Sequence, residues 1–385
     1  MSDSAANQVQ ETEEPTVTSE GHSRRSSEVK VFAEREQVAD QLGFTGSRRR
    51  FALWLVVLTA GLLIASILAM VVGSVRVPIA DIFRTLGSHL AGHSSPTQAD
   101  SIIWNLRLPR VILGIVAGAG LSVAGGILQT LVKNPLAEPY LLGINSGASV
   151  GAALSMLFGI GMLAGVYSLQ LAAIIGALVA TILMFSLVRS GGGMTAPRLL
   201  MAGVAVSYTL SAATSFLVFA SDNVEGARSL MFWLLGSLGL GKLDGVLGIT
   251  TAVVVLITVG VTLRGRKVDA LLVDDATAST LGVHPARTRQ VLLAAVCILV
   301  GTLVALVGSI GFIGLVAPHL ARRLVGGSHR YMIPTAALLG SIVLVVADIA
   351  ARSLFAPQEV PIGVITAFVG APFLFALVRT TKPVA

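Results

Sequence analysis

Residues with the types and spacing for chemistry are few in this 385-residue chain, and each group falls short of a reaction. Gly236-Ser237-Leu238-Gly239-Leu240-Gly241-Lys242 has the spacing of a phosphate-binding loop, in which backbone N–H groups cradle an anion and a lysine neutralises it. Leu243 follows where the magnesium-binding hydroxyl belongs, and no strand pattern precedes the stretch, so the match is one of composition. His89 and His93 stand at i,i+4 without the glutamate of a hydrolase zinc motif, and they read as polar loop residues. Cys297 is the one cysteine and lies in an apolar run, which excludes an intramolecular disulfide and a thiolate metal cluster. Asp348 and Arg352 are one helical turn apart and can neutralise each other. Neither an HExxH motif nor a dinucleotide fingerprint occurs. If this protein moves a solute with ATP, another chain binds the ATP.

The elements that must carry these residues are apolar. Hydrophobic residues make up 54% and charged residues 12%, about half the charge of a soluble globular chain. Disorder, coiled coil and an ordinary cytosolic enzyme are thereby excluded for the bulk of the chain. Residues 1–50 hold nine of the 20 acids and seven of the 27 bases, so the net charge of +7 belongs to the rest. Those cations sit between apolar runs, which favours a membrane over nucleic acid as the partner. Residues 1–46, rich in Ser, Glu and Thr, read as a disordered tail. Ser47-Arg48-Arg49-Arg50-Phe51 resembles a twin-arginine export signal. The following run to Gly73 exceeds a signal core, which favours a first membrane span.

About 20 apolar residues cross the hydrocarbon core. Clear candidates are 51–73, 111–131, 141–158, 169–188, 199–220, 246–263, 291–307, 332–351 and 362–378. Residues 311–324 are short and interrupted by Pro318, so by length alone the segment could be re-entrant. Charge decides for crossing. With ten spans and both termini cytoplasmic, 20 bases lie inside and seven outside: Arg76, Arg84, Arg107, Arg110, Arg228, Lys242 and Arg352. The expected fold is therefore all-α, a ten-helix membrane domain over residues 47–385. Small residues at Gly114/Gly118 and Gly143/Gly147/Gly151 let neighbouring backbones approach closely. Asn134-Pro135-Leu136-Ala137-Glu138-Pro139 and Gly308–Gly314 break the pattern between spans, as pathway linings or interfacial turns. The longest cytoplasmic interruption, 264–290, contains a short helix over 273–283, with an Asp to cap it and Gly282 to end it. Taken alone, it is a surface helix or a docking helix.

These residues resemble the FecCD-type permeases, membrane subunits of ATP-binding-cassette importers for ferric siderophores, haem and cobalamin. The resemblance rests on Arg107-Leu-Pro-Arg110, Asn134-Pro-Leu-Ala-Glu-Pro139, Trp233-Leu-Leu-Gly236 and Leu281-Gly282-Val283. It continues through Gly311-Phe-Ile-Gly-Leu-Val-Ala-Pro-His-Leu-Ala-Arg322, Ala347-Asp-Ile-Ala-Ala-Arg352, Pro361-Ile-Gly-Val and Gly370-Ala-Pro372. It covers about residue 50 to the C-terminus and leaves out only the tail.

The resemblance implies a multi-pass cell-membrane permease subunit, paired with a second copy or a paralogous permease. It implies a pair of cytoplasmic ATPase subunits carrying the ATP and magnesium, an extracytoplasmic substrate-binding protein, and no cofactor in this chain. Asp274, Asp275, Ala278, Leu281 and Gly282 would couple to the ATPase, and Arg107, Arg110 and Arg352 would dock the binding protein. Asn134 and Leu136 would belong to the cytoplasmic gate. At a second gate loop, Thr195-Ala196-Pro197, Ala196 and Pro197 replace small hydroxyl residues of the family's cobalamin importer. Ferric siderophore is the expected cargo, with haem or cobalamin as alternatives. A secondary carrier is the competing class, and it is disfavoured because nearly all the acids outside the tail fall in predicted loops.

Overall fold

The computed structural model describes residues 44–73, 75, 77–93, 97–190 and 195–380. The expected disordered tail, up to residue 43, lies outside them, as do Arg76 and Lys382 of the charge count. The described residues from Arg50 onward form one compact unit.

The described residues are helical. The chain runs through α1 (Phe44–Val71), α2 (Ile79–Leu90), α3 (Leu108–Leu131), α4 (Ile144–Phe158) and α5 (Ser168–Ser190). Next come α6 (Ala196–Phe219), α7 (Val224–Leu234), α8 (Gly245–Leu263), α9 (Gly265–Ala270) and α10 (Asp275–Thr280). The series closes with α11 (Pro285–Val307), α12 (Ile313–Val325), α13 (His329–Ser353) and α14 (Ile362–Thr380). Seven helices are long and apolar enough to cross a membrane, and α4 and residues 362–377 are shorter apolar helices. The 13 residues of α12 reach about 20 Å, less than the roughly 30 Å of a hydrocarbon core.

The helix starts follow local chemistry. The side chains of Asn223, Asp244 and Asp274 accept the first free N–H groups of α7, α8 and α10. Pro109, Pro197 and Pro285 sit in first turns, where their missing N–H costs nothing. Three stretches between the expected spans are helical without having been expected to be: α2, α7 and α9. The reading of His89 as a loop residue is corrected with the first of these. It lies in the last turn of α2, its ring stacked 3.9 Å from Trp104 and its Nε2 2.9 Å from Asp100. The apolar pattern of α2 is one-sided and too short for a span, so a count of long apolar runs passes over it. The first helix also begins at Phe44 rather than Phe51, so residues 44–46 of the expected tail are helical.

Helix α3 is the core. Nearly all its residues are buried, and α13 runs antiparallel along it. Arg110 meets Asp348 at one end of the pair and Thr130 meets His329 at the other. Between them the two backbones touch at small residues. A Cβ on Gly118 would lie 2.3 Å from the Gly340 carbonyl oxygen, and Ser341 Oγ donates to the Ile115 carbonyl at 2.8 Å. The expected Gly147 and Gly151 pair does the same for α4 against α5. By contrast α1, α5, α6 and α8 leave rows of large apolar side chains exposed, as helices that face lipid do.

Candidate functional site

At the first end of the α3–α13 pair, charge is withdrawn. A π-helical turn over Ser101–Arg107 leads into α3 and turns Arg107 back toward α1. Arg107 is 6% exposed and donates to the carbonyls of Met70, Val71 and Val75. Arg352 donates to Ala69 and Val72 at 3.0 and 3.2 Å, and its Nε lies 2.9 Å from Asp348. The two guanidiniums thus occupy the carbonyls that the last turn of α1 leaves free, where the helix dipole favours cations. The pairing of Asp348 with Arg352 expected from their spacing is present. Arg110 links Asp348, at 2.9 Å, to Glu359, at 2.6 and 3.0 Å. Of these carboxylates only Glu359, half exposed, reaches the surface, and hydrogen bonds from Arg110 hold it below the usual carboxylate range. Arg110, Trp233, Asp348 and Glu359 line a cavity of ≈ 390 Å³ there.

The glycine-rich stretch resembling a phosphate loop lies beside this cavity, and the N–H groups of Ser237, Gly239 and Gly241 are already used. Ser237 N donates to Val307 O at 2.9 Å, Gly239 N to Ser237 Oγ at 3.0 Å and Gly241 N to Leu238 O at 3.1 Å.

Midway, the chain is irregular between α11 and α12, where Gly308 and Phe312 take positive φ. Side chains from the Asn134–Tyr140 loop supply the missing partners. Tyr140 Oη donates to Ile310 O at 2.8 Å and accepts from Ile310 N at 2.7 Å, and Glu138 accepts from Phe312 N at 2.6 Å. Pro318, inside α12, has no N–H for the Gly314 carbonyl. Gln129 of α3 donates to that oxygen instead, at 3.3 Å, and accepts from Arg322 through its own carbonyl. Irregular backbone away from water persists only with such substitutes. Sequence reasoning singled out both broken stretches but not that one repairs the other.

At the second end, charge is exposed. Asp274 caps α10, accepting from Thr277 N at 2.8 Å and Thr277 Oγ1 at 2.7 Å, and Gly282 ends the segment at φ +75°. Asp275 takes a two-point pair from Arg289 at 2.6 and 2.8 Å, and those hydrogen bonds hold its carboxyl below the ordinary range. Ala278 is buried, whereas Leu281 is 66% exposed. The interruption is shorter than the expected 264–290 because α11 starts at Pro285 and carries Arg287 and Arg289.

Two links tie the residues just before this segment to the end of α3. Lys133 Nζ donates to Val273 O at 2.7 Å. Asp269 of α9 accepts from His329 N at 2.9 Å and from His329 Nδ1 at 2.5 Å. The opposite ring nitrogen of His329 lies 2.6 Å from Thr130 Oγ1. Burial pushes the Asp269 carboxyl up, but the bonds from His329 and Ser328 outweigh it and hold it low. Immediately after Lys133, Asn134 Oδ1 accepts from Leu136 N at 2.9 Å, closing a tight turn with Leu136 exposed. Lys133, Asn134, His319 and Arg322 line a cavity of ≈ 410 Å³ beside it. Thr195 precedes the first turn of α6 without a side-chain cap, with Pro197 in that turn. Neither Lys133 nor His329 stood out in the sequence. Their partners lie 140 and 60 residues away along the chain, and no local pattern marks them.

The chain is similar to known proteins over most of its length. Residues 61–380 match the FecCD transport family. The hemin transport system permease protein HmuU of Yersinia pestis is 39% identical over 325 residues, 83% of this chain and 95% of that protein. The vitamin B12 import system permease protein BtuC of Shigella boydii is 36% identical over 330 residues, 86% and 96% of the two chains. A solved metal-chelate type ABC transporter in an inward-facing conformation superposes with a TM-score of 0.73 at 29% identity, covering 86% of this chain and 100% of that one.

Proposed function

The chain belongs to the FecCD transport family, and from that premise we propose that it passes an iron chelate inward when partner ATPases turn over. It is a multi-pass membrane permease subunit of an ABC importer. Seven long helices, the shorter α4 and α14, and α12 with its irregular lead-in support ten spans, with both termini on the cytoplasmic face. The assembly we envisage adds a second permease, identical or paralogous, two ATP-binding subunits and an extracytoplasmic binding protein. ATP and magnesium belong to the ATPases.

One observation carries this reading: the residues that lead into the exposed segment 274–283, Asp269 and Val273, are tied to the end of the helix that leads into the turn at Asn134–Leu136. Lys133 on Val273, and Asp269 through His329 to Thr130, make a path for force. Asp274, Asp275, Ala278, Leu281 and Gly282 are the ATPase-coupling residues in this scheme, and Asn134 and Leu136 belong to the gate. On the opposite face Arg107, Arg110 and Arg352 make up the docking site for the binding protein. Arg110 meets an incoming carboxylate in competition with Glu359, while Arg107 and Arg352 keep the surface in shape.

An iron chelate is favoured over cobalamin as cargo, with a ferric siderophore first and haem second; the name of the Yersinia relative supports an iron chelate. Labelled uptake of a ferric siderophore, haem and cobalamin, in cells carrying the full importer, tests the cargo. Deletion of residues 274–283 is expected to abolish co-purification of the ATPase. Retention of the ATPase would refute the docking assignment. Uptake that survives ATP depletion and collapses with an uncoupler would refute the energy source.

A further inference from the structure

Three cations, the neighbours Arg264 and Lys267 and the more distant Arg287, converge on a cavity of ≈ 580 Å³ where α8 ends and α11 begins. Arg264 follows α8, Lys267 lies in α9 and Arg287 in the first turns of α11, and His284 joins them at the rim. None of the three basic side chains makes an ion pair among the described residues, and no carboxylate lines the cavity. Nearby Arg289 shows the alternative, with its guanidinium on Asp275. Below the cations the wall is apolar. Leu256 and Val261 come from α8, and Val291 and Leu292 from α11. Leu256 is 71% and Val291 58% exposed, so the wall is continuous with the lipid-facing sides of two spanning helices.

Orientation in the membrane explains the sign of these charges, since basic residues gather on one side of spanning helices. It does not explain their convergence, because any exposed position in the loop would orient the chain equally well. A cationic rim over a groove that continues into hydrocarbon matches a ligand with a negative head and an apolar tail. We propose that this cavity binds an anionic phospholipid, its phosphodiester at Arg264, Lys267 and Arg287 and one acyl chain along Leu256 and Val291. Gly282 and Val283, where the chain leaves α10, line the same cavity, so the lipid touches the segment assigned to ATPase docking. The site rests on the membrane location alone; the cargo and ATPase readings can fail without affecting it.

The test is lipid retention by the purified full-length chain, measured by native mass spectrometry after detergent exchange. Dioleoylphosphatidylglycerol is compared with dioleoylphosphatidylcholine at equal concentration. Preferential retention of the phosphatidylglycerol is expected, falling about fivefold with each of Arg264→Gln, Lys267→Gln and Arg287→Gln. Val291→Trp, which fills the wall without touching charge, is expected to lower it as well. Arg266→Gln is the control, an exposed cation in the same loop that does not line the cavity. Equal retention of the two lipids, or an equal loss in Arg266→Gln, would overturn the site as general surface attraction. Displacement of the lipid by millimolar inorganic phosphate would overturn the phospholipid in favour of a free anion. Each variant is first checked for a monodisperse elution profile, and one that fails the check is replaced by the corresponding Met substitution.

Discussion

The two ends of the α3–α13 pair use the same residue types in opposite ways. At the first end Arg107, Arg352 and Asp348 are buried, and the guanidiniums close the free carbonyls of α1. At the second, Asp274 and Asp275 are exposed at the start of a six-residue helix that Asp274 caps and Arg289 braces. A buried charge at a helix end is committed to holding the fold. A capped and exposed helix is stable enough to present itself and has a free face for a partner. Conspicuous charge in a membrane protein therefore has two meanings, and burial separates them.

The largest expected effect tests the buried end. Asp348→Asn leaves Arg110 and Arg352 without the anion they share, at a cost of about 3–5 kcal/mol. Thermal unfolding of the purified protein in detergent reads it, and an unchanged midpoint would show that the cluster does not hold the fold. Next comes the link at the second end. Lys133→Ala removes a charged hydrogen bond of about 1.5–3 kcal/mol, and a drop of roughly tenfold in uptake is expected with ATPase binding retained. Lys133→Arg, which keeps a donor, should restore most of it; equal loss in both variants would mean that the bond transmits nothing. Between the ends, Gln129→Ala leaves the Gly314 carbonyl and Arg322 unmatched, and about 1–3 kcal/mol of stability should be lost in the same unfolding assay.

A pH series sharpens the contrast further. The Asp275 carboxyl is held below its usual range, so its pair with Arg289 contributes at every pH above that range and is lost as pH falls through the depressed value. Hydrogen exchange of α10, expressed relative to the intrinsic rate of each amide at that pH, should stay level from pH 8 to about 5 and quicken only below about 4. Quickening near neutrality would show that another group controls the segment. The smallest effect is expected at Glu359→Gln, which weakens a half-exposed pair by about 0.2–1 kcal/mol. Binding-protein affinity is the more informative readout there. If that affinity falls rather than holds or rises, Glu359 does not compete with the partner for Arg110.

Much of the fold was legible in the chain. The nine long runs and the Pro318 segment reappear as helices with ends shifted by a few residues, because apolar length is a property of contiguous sequence. The short helix at Asp275–Thr280 was equally legible, since Asp274 and Gly282 act within one turn of it. Helices α2 and α7 were not, being too short and too polar on one side to stand out.

The sequence by itself therefore determined what depends on neighbours along the chain: the membrane class, the apolar helices, the caps and the points where helices break. Tertiary structure alone decided what each break and each stray cation does. Glu138 and Tyr140 repair the backbone at Ile310 and Phe312, Gln129 replaces the N–H that Pro318 lacks, and Arg107 and Arg352 end a helix distant in sequence. The reason is physical. Away from water every polar backbone group requires a partner, and the partner is whichever side chain packing brings within about 3 Å, however far off in the chain it lies.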